Sequence, residues 1–394
     1  MKKIIISSVA LVIALRKAQK AMQKNPAIPI LENFLLMEDR EKRVLNVMAS
    51  NLEFTAIAPV TFFESRAKDE PFEALLPLGA LKYLEKIEEQ PITIEVKEGK
   101  NKKGEKELQL VIGTDYANAK YATSNPDEFP VVPPIDGPSF EVNMEGEILK
   151  KLATYTGKDD LRPVFSNLMF IFDKGVQKIV ATDAHRLVVN TSENKSDGAV
   201  NFLLPASAVK LIAFGEHKTA KVTLMKQGKE AKKLLSGGTN YYGAEGSAKL
   251  EVGDMVYFVR LGDGKFPDYS RVFPDSNPVK ATMEREVMIK EVDRALMFAD
   301  KTTHQVRLHL NGALEVSAED LDFANEYKSN VHADIVHHAG DTDFEIGFNG
   351  KFLGSILKDL QGDKVTLEMS TPNRAAIINE GANMYLLMPV MLNS

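Results

Sequence analysis

The 394-residue sequence contains no cysteine, which excludes disulfides, thiol nucleophiles and cysteine metal sites. This composition suits a reducing cytoplasm. An excess of basic residues is also missing, because the formal net charge is −6 and the pI is about 5.8. The chain is therefore not a strongly basic nucleic-acid-binding protein. Any contact with DNA would need a local basic surface on an acidic body.

Long apolar runs are missing as well, since none approaches the ~18 residues of a membrane-spanning helix. At the N-terminus, two lysines followed by an apolar run at residues 4–15 imitate a secretory signal. The alternative is a short strand followed by a helix that is capped by Ser7 or Ser8 and ends before Pro26. Apolar residues recur there at helical spacing, with lysines on nearly the opposite side. A removed peptide has no use for that order, so we predict a folded segment.

The usual catalytic motifs are also missing. The sequence has no Gly-x-Ser-x-Gly elbow, no phosphate-binding loop of the right spacing and no Gly-x-Gly-x-x-Gly after a strand. Asp183, His185 and Arg186 do resemble a hydrolytic site, because they lie in a turn between two apolar strands. No partnered nucleophile stands beside them in the sequence. We therefore predict that the protein is not an enzyme and that Asp183 holds the turn through backbone hydrogen bonds.

A second cluster of polar residues, near position 335, could suggest a metal site. It contains His332, Asp334, His337 and His338, all of which are possible metal ligands. The alternating pattern predicts that Asn330–His338 is one strand, in which His332 and Asp334 share a face and His337 points the other way. A solvated strand face explains this pattern without a metal. We therefore predict no metal and no cofactor.

Three segments repeat one order of elements, which is an apolar strand, Pro or Asn, a helix and an alternating strand. The helices of these segments are predicted at Leu78–Glu89, Ala206–Glu216 and Gly350–Leu360. Another helix precedes each segment, and these helices are predicted at Ser8–Gln23, Glu145–Lys158 and Glu286–Lys301. Two helices on a strand-rich body, repeated three times, predict an α+β fold. Proline-rich breaks place the domains at residues 1–135, 136–276 and 277–394. The Gly- and Lys-rich stretch Gly228–Gly246 is predicted to be an exposed excursion.

Five of the six predicted helices carry cations on the side away from their apolar residues, and the fourth contributes only one. The candidate DNA-facing cations are Lys17, Lys20, Lys24, Lys82, Lys86, Lys151, Lys158, Lys210, Lys290, Arg294, Lys301, Lys351 and Lys358. For any single helix, a solvated surface is the simpler explanation. If three similar domains form an arc, however, their lysines combine into one surface. Such a surface would hold a phosphate backbone without contacting the bases.

Three long motifs occur in order along the chain, and they carry a family resemblance. The motifs are Ala181-Thr-Asp-Ala-His-Arg-Leu187, Gly264-Lys-Phe-Pro-Asp-Tyr-Ser-Arg-Val-Phe-Pro274 and Tyr385-Leu-Leu-Met-Pro-Val-Met-Leu392. From end to end the chain resembles the bacterial sliding clamp, the beta subunit of DNA polymerase III. The resemblance implies a head-to-tail homodimer that closes into a ring of six similar DNA-clamp domains, each with two helices on antiparallel sheets. It also implies a cytoplasmic processivity factor that encircles duplex DNA without sequence specificity.

The resemblance further implies a cleft between the second and third domains, in which partner peptides dock. The matching residues here are Phe165, Thr182, Ala184, His185, Arg186, Leu187, Pro267, Arg271, Val272, Leu386, Met388, Pro389 and Val390. Their chemistry is consistent with an apolar pocket that has Arg186 and Arg271 at its edge. A methionine adapts to different side chains, which suits a cleft with many partners. The implied partners are double-stranded DNA, the replicative DNA polymerase, an ATP-dependent clamp loader, other proteins with a clamp-binding motif, and a second copy of the chain.

Two alternatives remain open at this point. One is a secreted metal-dependent hydrolase that uses the His332, Asp334 and His337 region. The other is a solute- or protein-binding repeat protein that does not bind DNA. A clamp would keep its N-terminal segment and migrate at twice 43.6 kDa, whereas a secreted protein would lose that segment.

Overall fold

The computed structural model describes the chain as two compact units. The described residues are 2–67, 70–100, 106–130, 132, 135, 137–158, 161–194, 199–225, 240–241, 246–320, 323–336 and 343–392. The first unit consists of residues 1–146, 207–238 and 244–261, and the second of residues 147–206, 239–243 and 262–394. Most of the predicted excursion at Gly228–Gly246 lies outside the described residues.

Six α-helices occur in the part of the chain that the structure describes. They are α1 Ser8–Gln19, α2 Leu78–Leu84, α3 Gly146–Leu152, α4 Ala206–Leu211, α5 Arg285–Phe298 and α6 Gly350–Asp359. Each helix begins within one residue of the predicted start, but each ends earlier than predicted. After α1, for example, the Met22 amide donates to the Gln19 carbonyl, which is a tight turn and not a further helical turn. The prediction that all the cations lie on helices is therefore wrong for five of them, which follow the helix ends: Lys20, Lys24, Lys86, Lys158 and Lys301.

The N-terminal segment is part of the fold, as predicted. The Ser7 side chain accepts a 3.2 Å hydrogen bond from the Ala10 amide and caps α1. Leu11, Leu15 and Ala18 are fully buried, because their spacing places them on one face of the helix. No helix among the described residues is long and apolar enough to cross a membrane.

The strands are short and follow one another through tight turns. The first ten are β1 Lys2–Ser7, β2 Asn33–Asp39, β3 Val44–Ser50, β4 Phe54–Thr61, β5 Glu64–Ser65, β6 Glu73–Pro77, β7 Pro91–Lys100, β8 Lys106–Gly113, β9 Asn118–Thr123 and β10 Ser139–Asn143. The next nine are β11 Asn167–Asp173, β12 Val176–Thr182, β13 Arg186–Glu193, β14 Val200–Pro205, β15 Thr219–Leu224, β16 Asn240–Tyr241, β17 Ser247–Val252, β18 Met255–Arg260 and β19 Val279–Glu284. The last nine are β20 Gln305–Leu310, β21 Leu314–Asp320, β22 Asn325–Val331, β23 Ala333–Val336, β24 Phe344–Asn349, β25 Lys364–Met369, β26 Ala376–Glu380, β27 Asn383–Leu387 and β28 Pro389–Val390.

The first unit contains two antiparallel sheets. Their strand orders are β5-β1-β7-β8-β9 and β10-β15-β17-β18-β4-β3-β2-β6. In the larger sheet β18 pairs with β4, with Tyr257 opposite Ala56. The Tyr257 and Phe54 rings lie 5.6 Å apart at this junction. Strands from the predicted first and middle domains therefore form one continuous sheet.

The second unit also contains two sheets. Their strand orders are β16-β14-β11-β12-β13-β27-β26-β25-β19-β23 and β22-β21-β20-β24-β28. The pairs are antiparallel except for β14 with β16. At the centre of the larger sheet β13 pairs with β27, which places Leu187 opposite Leu386. The predicted middle domain therefore supplies strands to one sheet in each unit, and the three-domain division stays a prediction.

The prediction of one strand at Asn330–His338 is wrong. β22 ends at Val331 and pairs with β21 in the five-stranded sheet, whereas β23 begins at Ala333 and pairs with β19 in the ten-stranded sheet. His332 is the single residue between the two strands. Because the connection is this short, the alternating pattern continues across it, and the sequence therefore predicted one continuous strand. His337 and His338 lie outside the described residues. Within those residues, no group of three or more His, Asp or Glu side chains could hold a metal ion.

Candidate functional site

The turn between β12 and β13 is fixed by its own side chains. The Asp183 Oδ1 atom accepts hydrogen bonds from the amides of His185 at 3.0 Å and Arg186 at 2.9 Å. The Thr182 hydroxyl accepts one from the Ala184 amide at 3.0 Å and donates to the Arg186 carbonyl at 2.7 Å. These bonds support Ala184 at a φ of +74°, a conformation that is uncommon for a non-glycine residue. Asp183 therefore holds the turn, as predicted.

The guanidinium of Arg186 points into the protein. Its Nε atom lies 3.0 Å from an oxygen of Asp183, its Nη1 donates to the Ser355 hydroxyl at 2.5 Å, and its Nη2 donates to the Thr154 carbonyl at 2.7 Å. Only 12% of the Arg186 side chain is exposed. Ser355 lies on α6, and Thr154 follows α3, so one side chain connects the turn to both of these segments.

Aromatic rings complete the surroundings of this guanidinium. Its central carbon lies 4.5 Å from the ring centroid of Tyr155 and 5.1 Å from that of Phe352. The exposed His185 ring stacks on Phe352, with centroids 5.7 Å apart and planes at 19°. Arginine favours such stacking because its charge is planar and weakly hydrated. Thr154, Tyr155, Phe352 and Ser355 were not predicted as site residues, because only the fold brings them to the turn.

A hydrogen-bond network links Tyr155 to the end of α6. The buried Tyr155 hydroxyl donates a 2.6 Å hydrogen bond to the Asp359 carboxylate. Burial raises the pKa of Tyr155 well above its ordinary value, and the hydrogen bond to Asp359 raises that pKa further. The ammonium of Lys151, one of the candidate DNA-facing cations, donates to the main-chain carbonyl of Asp359. Lys151 is therefore part of an internal contact.

Below the turn lies a buried apolar cluster that defines the floor of the candidate cleft. Its buried members are Met169, Val180, Leu187, Val189, Leu203, Phe266, Ala375, Ile377 and Leu386. Met388 is partly buried and packs against the cluster together with Val164, Ile171, Tyr269 and Phe273. The Met388 amide donates a 2.8 Å hydrogen bond to the His185 carbonyl, which fixes the C-terminal motif beside the turn.

The Gly264–Pro274 motif forms another part of this site. Phe266 is buried in the apolar cluster, and its ring meets the Phe165 ring edge-on at 6.2 Å and 88°. Pro267 is exposed, and Val272 exposes 45% of its surface. Exposed apolar residues are therefore the immediate chain neighbours of Phe266 and Phe273, which belong to or pack against the cluster. Such a combination of a rigid floor and exposed apolar atoms is typical of a peptide-binding groove.

Arg271 is the exposed cation of the site. Its Nε lies 3.0 Å from an oxygen of Asp268, yet 83% of the Arg271 side chain is exposed. Hydrogen bonds from Ser270 and then from Arg271 hold the pKa of Asp268 below its ordinary value. Arg271 is thus accessible to a ligand in a way that Arg186 is not.

The final predicted cleft residues lie at a sheet edge. Pro389 and Val390 form β28, and they pair with Phe348 and Gly347 of β24. All the predicted cleft residues lie in the second unit. The three motifs that are far apart in sequence therefore meet around one apolar cluster.

Several of the candidate DNA-facing cations are occupied by neighbouring groups. Lys17 forms an ion pair with Asp254 at 3.1 Å, and Lys358 forms one with Asp293 at 2.8 Å. Other contacts are Arg294 with Glu291, and Lys351 with the Nε2 atom of His304 at 2.7 Å. Arg294, Lys351 and Lys358 are exposed despite these contacts, and the other exposed candidates are Lys20, Lys24, Lys82, Lys86, Lys158, Lys210, Lys290 and Lys301. The candidates therefore differ in how accessible they are to a phosphate.

An apolar patch at the end of α5 was not predicted from the sequence. Met297 is 71% exposed and Phe298 is 36% exposed. The Phe298 ring stacks on Tyr327 of β22 at 5.5 Å, and the Tyr327 hydroxyl donates a 2.5 Å hydrogen bond to Glu291. This hydrogen bond is the main reason that the pKa of Glu291 lies below its ordinary value. Met297 and Phe298 are large apolar residues that lie outside the buried stripe of α5. That position is the signal in the sequence that could have identified this patch.

Comparisons with known proteins agree with this geometry. The family model of the DNA polymerase III beta subunit, C-terminal domain, matches residues 270–392. The beta sliding clamp of Pseudomonas aeruginosa is 22% identical over 97% of this chain and 98% of its own length. The one from Proteus mirabilis is 25% identical over 99% of this chain and its own full length. A crystal structure of the DNA polymerase III subunit beta from Pseudomonas aeruginosa has a TM-score of 0.82 at 20% identity, covering 99% of this chain and 100% of that one. The predicted α+β fold with antiparallel sheets is confirmed.

Proposed function

We propose that this chain, a member of the bacterial beta sliding clamp family, is a DNA polymerase processivity factor that tethers the polymerase to its template. The observation that carries this proposal is the meeting of Leu187, Phe266 and Leu386 in one buried cluster. Each comes from a different motif, and Phe273, which follows the exposed Val272 in the chain, packs against the cluster. The full-length similarity to beta sliding clamps supports the same function. Nothing in the comparisons supports the alternative of a metal-dependent hydrolase.

The proposed mode of action is topological and does not involve catalysis. Two copies joined head to tail would enclose duplex DNA, and the exposed lysines on and after the helices would face its phosphates. An enclosed duplex cannot dissociate sideways, so weak contacts are sufficient and permit sliding. This also explains how a chain with a net charge of −6 can act on DNA.

The proposed dimer contact combines an apolar patch with two sheet edges. Met297 and Phe298 expose apolar surface next to β22, which is the last strand of its sheet in the second unit. β9 is the last strand of the five-stranded sheet in the first unit. Edge strands present unpaired main-chain groups that can pair with another chain. We therefore place β22 of one copy beside β9 of its partner, which gives a head-to-tail contact that can repeat and close.

The proposed partners dock in the cleft of the second unit. An extended peptide with apolar anchors would cover Pro267, Val272 and Met388, and an acidic side chain of that peptide would pair with Arg271. The replicative polymerase, an ATP-dependent clamp loader and other proteins that carry a clamp-binding motif would compete for this cleft. A separate loader is required in this scheme, because a closed ring must be opened before DNA can enter. The proposed location is the cytoplasm, where replication takes place.

Primer extension on a long single-stranded circular template tests the proposal. The assay contains the host's replicative polymerase and clamp loader, with and without this protein. We expect the polymerase to make long products in a single binding event only when the protein is present. Removal of residues 388–394 should abolish this stimulation while the dimer persists, because Met388, Pro389 and Val390 form part of the proposed cleft. Long products without the protein, or full stimulation by the truncated chain, would contradict the proposal.

A further inference from the structure

We propose that Arg186 is a positioning residue that holds the Thr182–Leu187 turn against α6 and does not contact the docked peptide. From the sequence, Arg186 was predicted to lie at the edge of the cleft. In the structure only 12% of its side chain is exposed, so its position at the edge is wrong for the guanidinium. This inference rests on the proposed function, because it concerns the same cleft.

Each of the three guanidinium nitrogens already donates to a partner within the chain. An arginine has five N–H donors in a fixed planar fork. Here the fork bonds to Asp183, Ser355 and Thr154, on three different segments of the second unit. The rings of Tyr155 and Phe352 lie 4.5 and 5.1 Å from its central carbon. Neighbours within the chain therefore cover most of this charge, which leaves little of it accessible to a docked peptide.

The same contacts explain how Arg186 would shape the cleft. One oxygen of Asp183 accepts a hydrogen bond from the Arg186 side chain, and the other accepts hydrogen bonds from the amides of His185 and Arg186. The Phe352 ring that faces the guanidinium also carries the stacked His185 ring. Loss of the fork would therefore loosen the Asp183 carboxylate and the support of His185 together. The His185 carbonyl in turn accepts a hydrogen bond from the Met388 amide, so the effect would extend to the C-terminal motif.

Arg271 provides the contrast within the same site. Its side chain is 83% exposed and has one carboxylate neighbour, Asp268. We therefore assign the attraction of acidic peptide groups to Arg271 and the shape of the turn to Arg186. These two roles predict different responses to the charge of the ligand.

The test uses the full-length protein and substitutions of two largely covered arginines. Arg186→Lys keeps the positive charge but removes the planar fork, because an ammonium cannot reach three separated acceptors at once. Arg285→Lys is the matched control. Arg285 is 16% exposed, pairs with Glu286 and donates to the carbonyls of Leu357 and Gly362 near the end of α6, away from the turn. The stability of each variant is measured by denaturant unfolding, so that loss of docking is compared at similar stability.

The probe is a short synthetic peptide with leucine and phenylalanine anchors, made in two versions that carry either glutamates or glutamines at the other positions. We expect Arg186→Lys to bind both versions about tenfold more weakly than the wild type, because one charge-assisted bond is worth roughly that factor. Arg285→Lys should bind both versions as the wild type does. A loss confined to the glutamate version, or no loss at all, would overturn the positioning role.

Hydrogen exchange provides a second readout that does not depend on any ligand. The amides of Ala184 and His185 should exchange faster in Arg186→Lys and at the wild-type rate in Arg285→Lys. Unchanged exchange in Arg186→Lys would refute the inference even if peptide binding fell. If the wild type itself fails to bind either peptide, the cleft of the proposed function fails. Faster exchange would then still establish that Arg186 holds the turn, so the two failures are distinguishable.

Discussion

The hydroxyl of Tyr155 donates a 2.6 Å hydrogen bond to the carboxylate of Asp359, the last residue of α6. The tyrosine is fully buried, and it lies in the short 3₁₀-helix that follows α3. This bond therefore joins the segment after α3 to the end of α6 within the second unit. It also fixes the ring on which the Arg186 guanidinium stacks.

Tyr155→Phe should lower the free energy of unfolding by about 2 kcal/mol, because it removes a hydrogen bond to a charged group and leaves the half-buried carboxylate of Asp359 unpaired. Urea unfolding followed by circular dichroism measures this change. The control is Tyr116→Phe, since Tyr116 is 75% exposed and should tolerate the substitution. Equal stability of both variants would contradict the role assigned to the bond.

Stability should fall at alkaline pH. Burial raises the pKa values of Tyr155 and Tyr385 above the ordinary tyrosine value. An unfolded tyrosine loses its proton near pH ~10, whereas these two keep theirs in the folded state. Above that pH the folded chain binds more protons than the unfolded one, so the free energy of unfolding decreases as the pH rises. Below it, the two groups contribute no slope.

The free energy of unfolding, measured between about pH 8 and pH 11, tests this expectation, because this range brackets the ordinary tyrosine pKa of ~10. Tyr155→Phe should flatten the decline, because it removes one of the tyrosines whose pKa is raised in the folded state. A decline of equal slope in the wild type and the variant would show that Tyr155 is not responsible.

The proposed dimer contact predicts the effect of a charge at the end of α5. Phe298→Asp should yield a monomer of 43.6 kDa at concentrations where the wild type is a dimer, because burying an unpaired carboxylate is costly. Sedimentation velocity distinguishes the two species. Val336→Asp is the control, since Val336 is another exposed apolar residue, at 56%, on the edge strand β23. A dimeric Phe298→Asp variant would place the interface elsewhere.

The accessible lysines should determine how DNA binding depends on salt. Lys20→Ala should reduce the slope of log K against log salt by ~0.9 if Lys20 neutralises one phosphate. Asp254→Asn should strengthen binding, because it releases Lys17 from its 3.1 Å ion pair. Fluorescence anisotropy with duplex DNA across a salt series measures both. Lys174→Ala, an exposed lysine in the β11–β12 turn, is the control and should change neither quantity.

Local patterns predicted the starts of the helices better than their ends. The Ser7 cap and the Asn349 cap are visible in the sequence, and α1 and α6 begin directly after them. The end of α1 at Gln19 depends on where the chain turns toward the next strand, and the sequence continues with residues that would suit a helix. Lys24 was placed on the helix for that reason.

Long-range pairing limited the prediction of the sheets and the site. Nothing in the period-two pattern shows that β18 pairs with β4 or that β13 pairs with β27. The same limit applies to Arg186, whose sequence neighbours predicted an edge position. Ser355 and Phe352, which enclose it, are more than 160 residues away along the chain.

The central claim is that the protein is held on DNA by enclosing it. The most direct measurement is retention of loaded protein on nicked circular DNA, compared with the same DNA after linearisation with a restriction enzyme, by gel filtration. We predict that the protein stays on the circles and slides off the free ends of the linear molecules. Equal loss from both forms, or equal retention on both, would contradict the account.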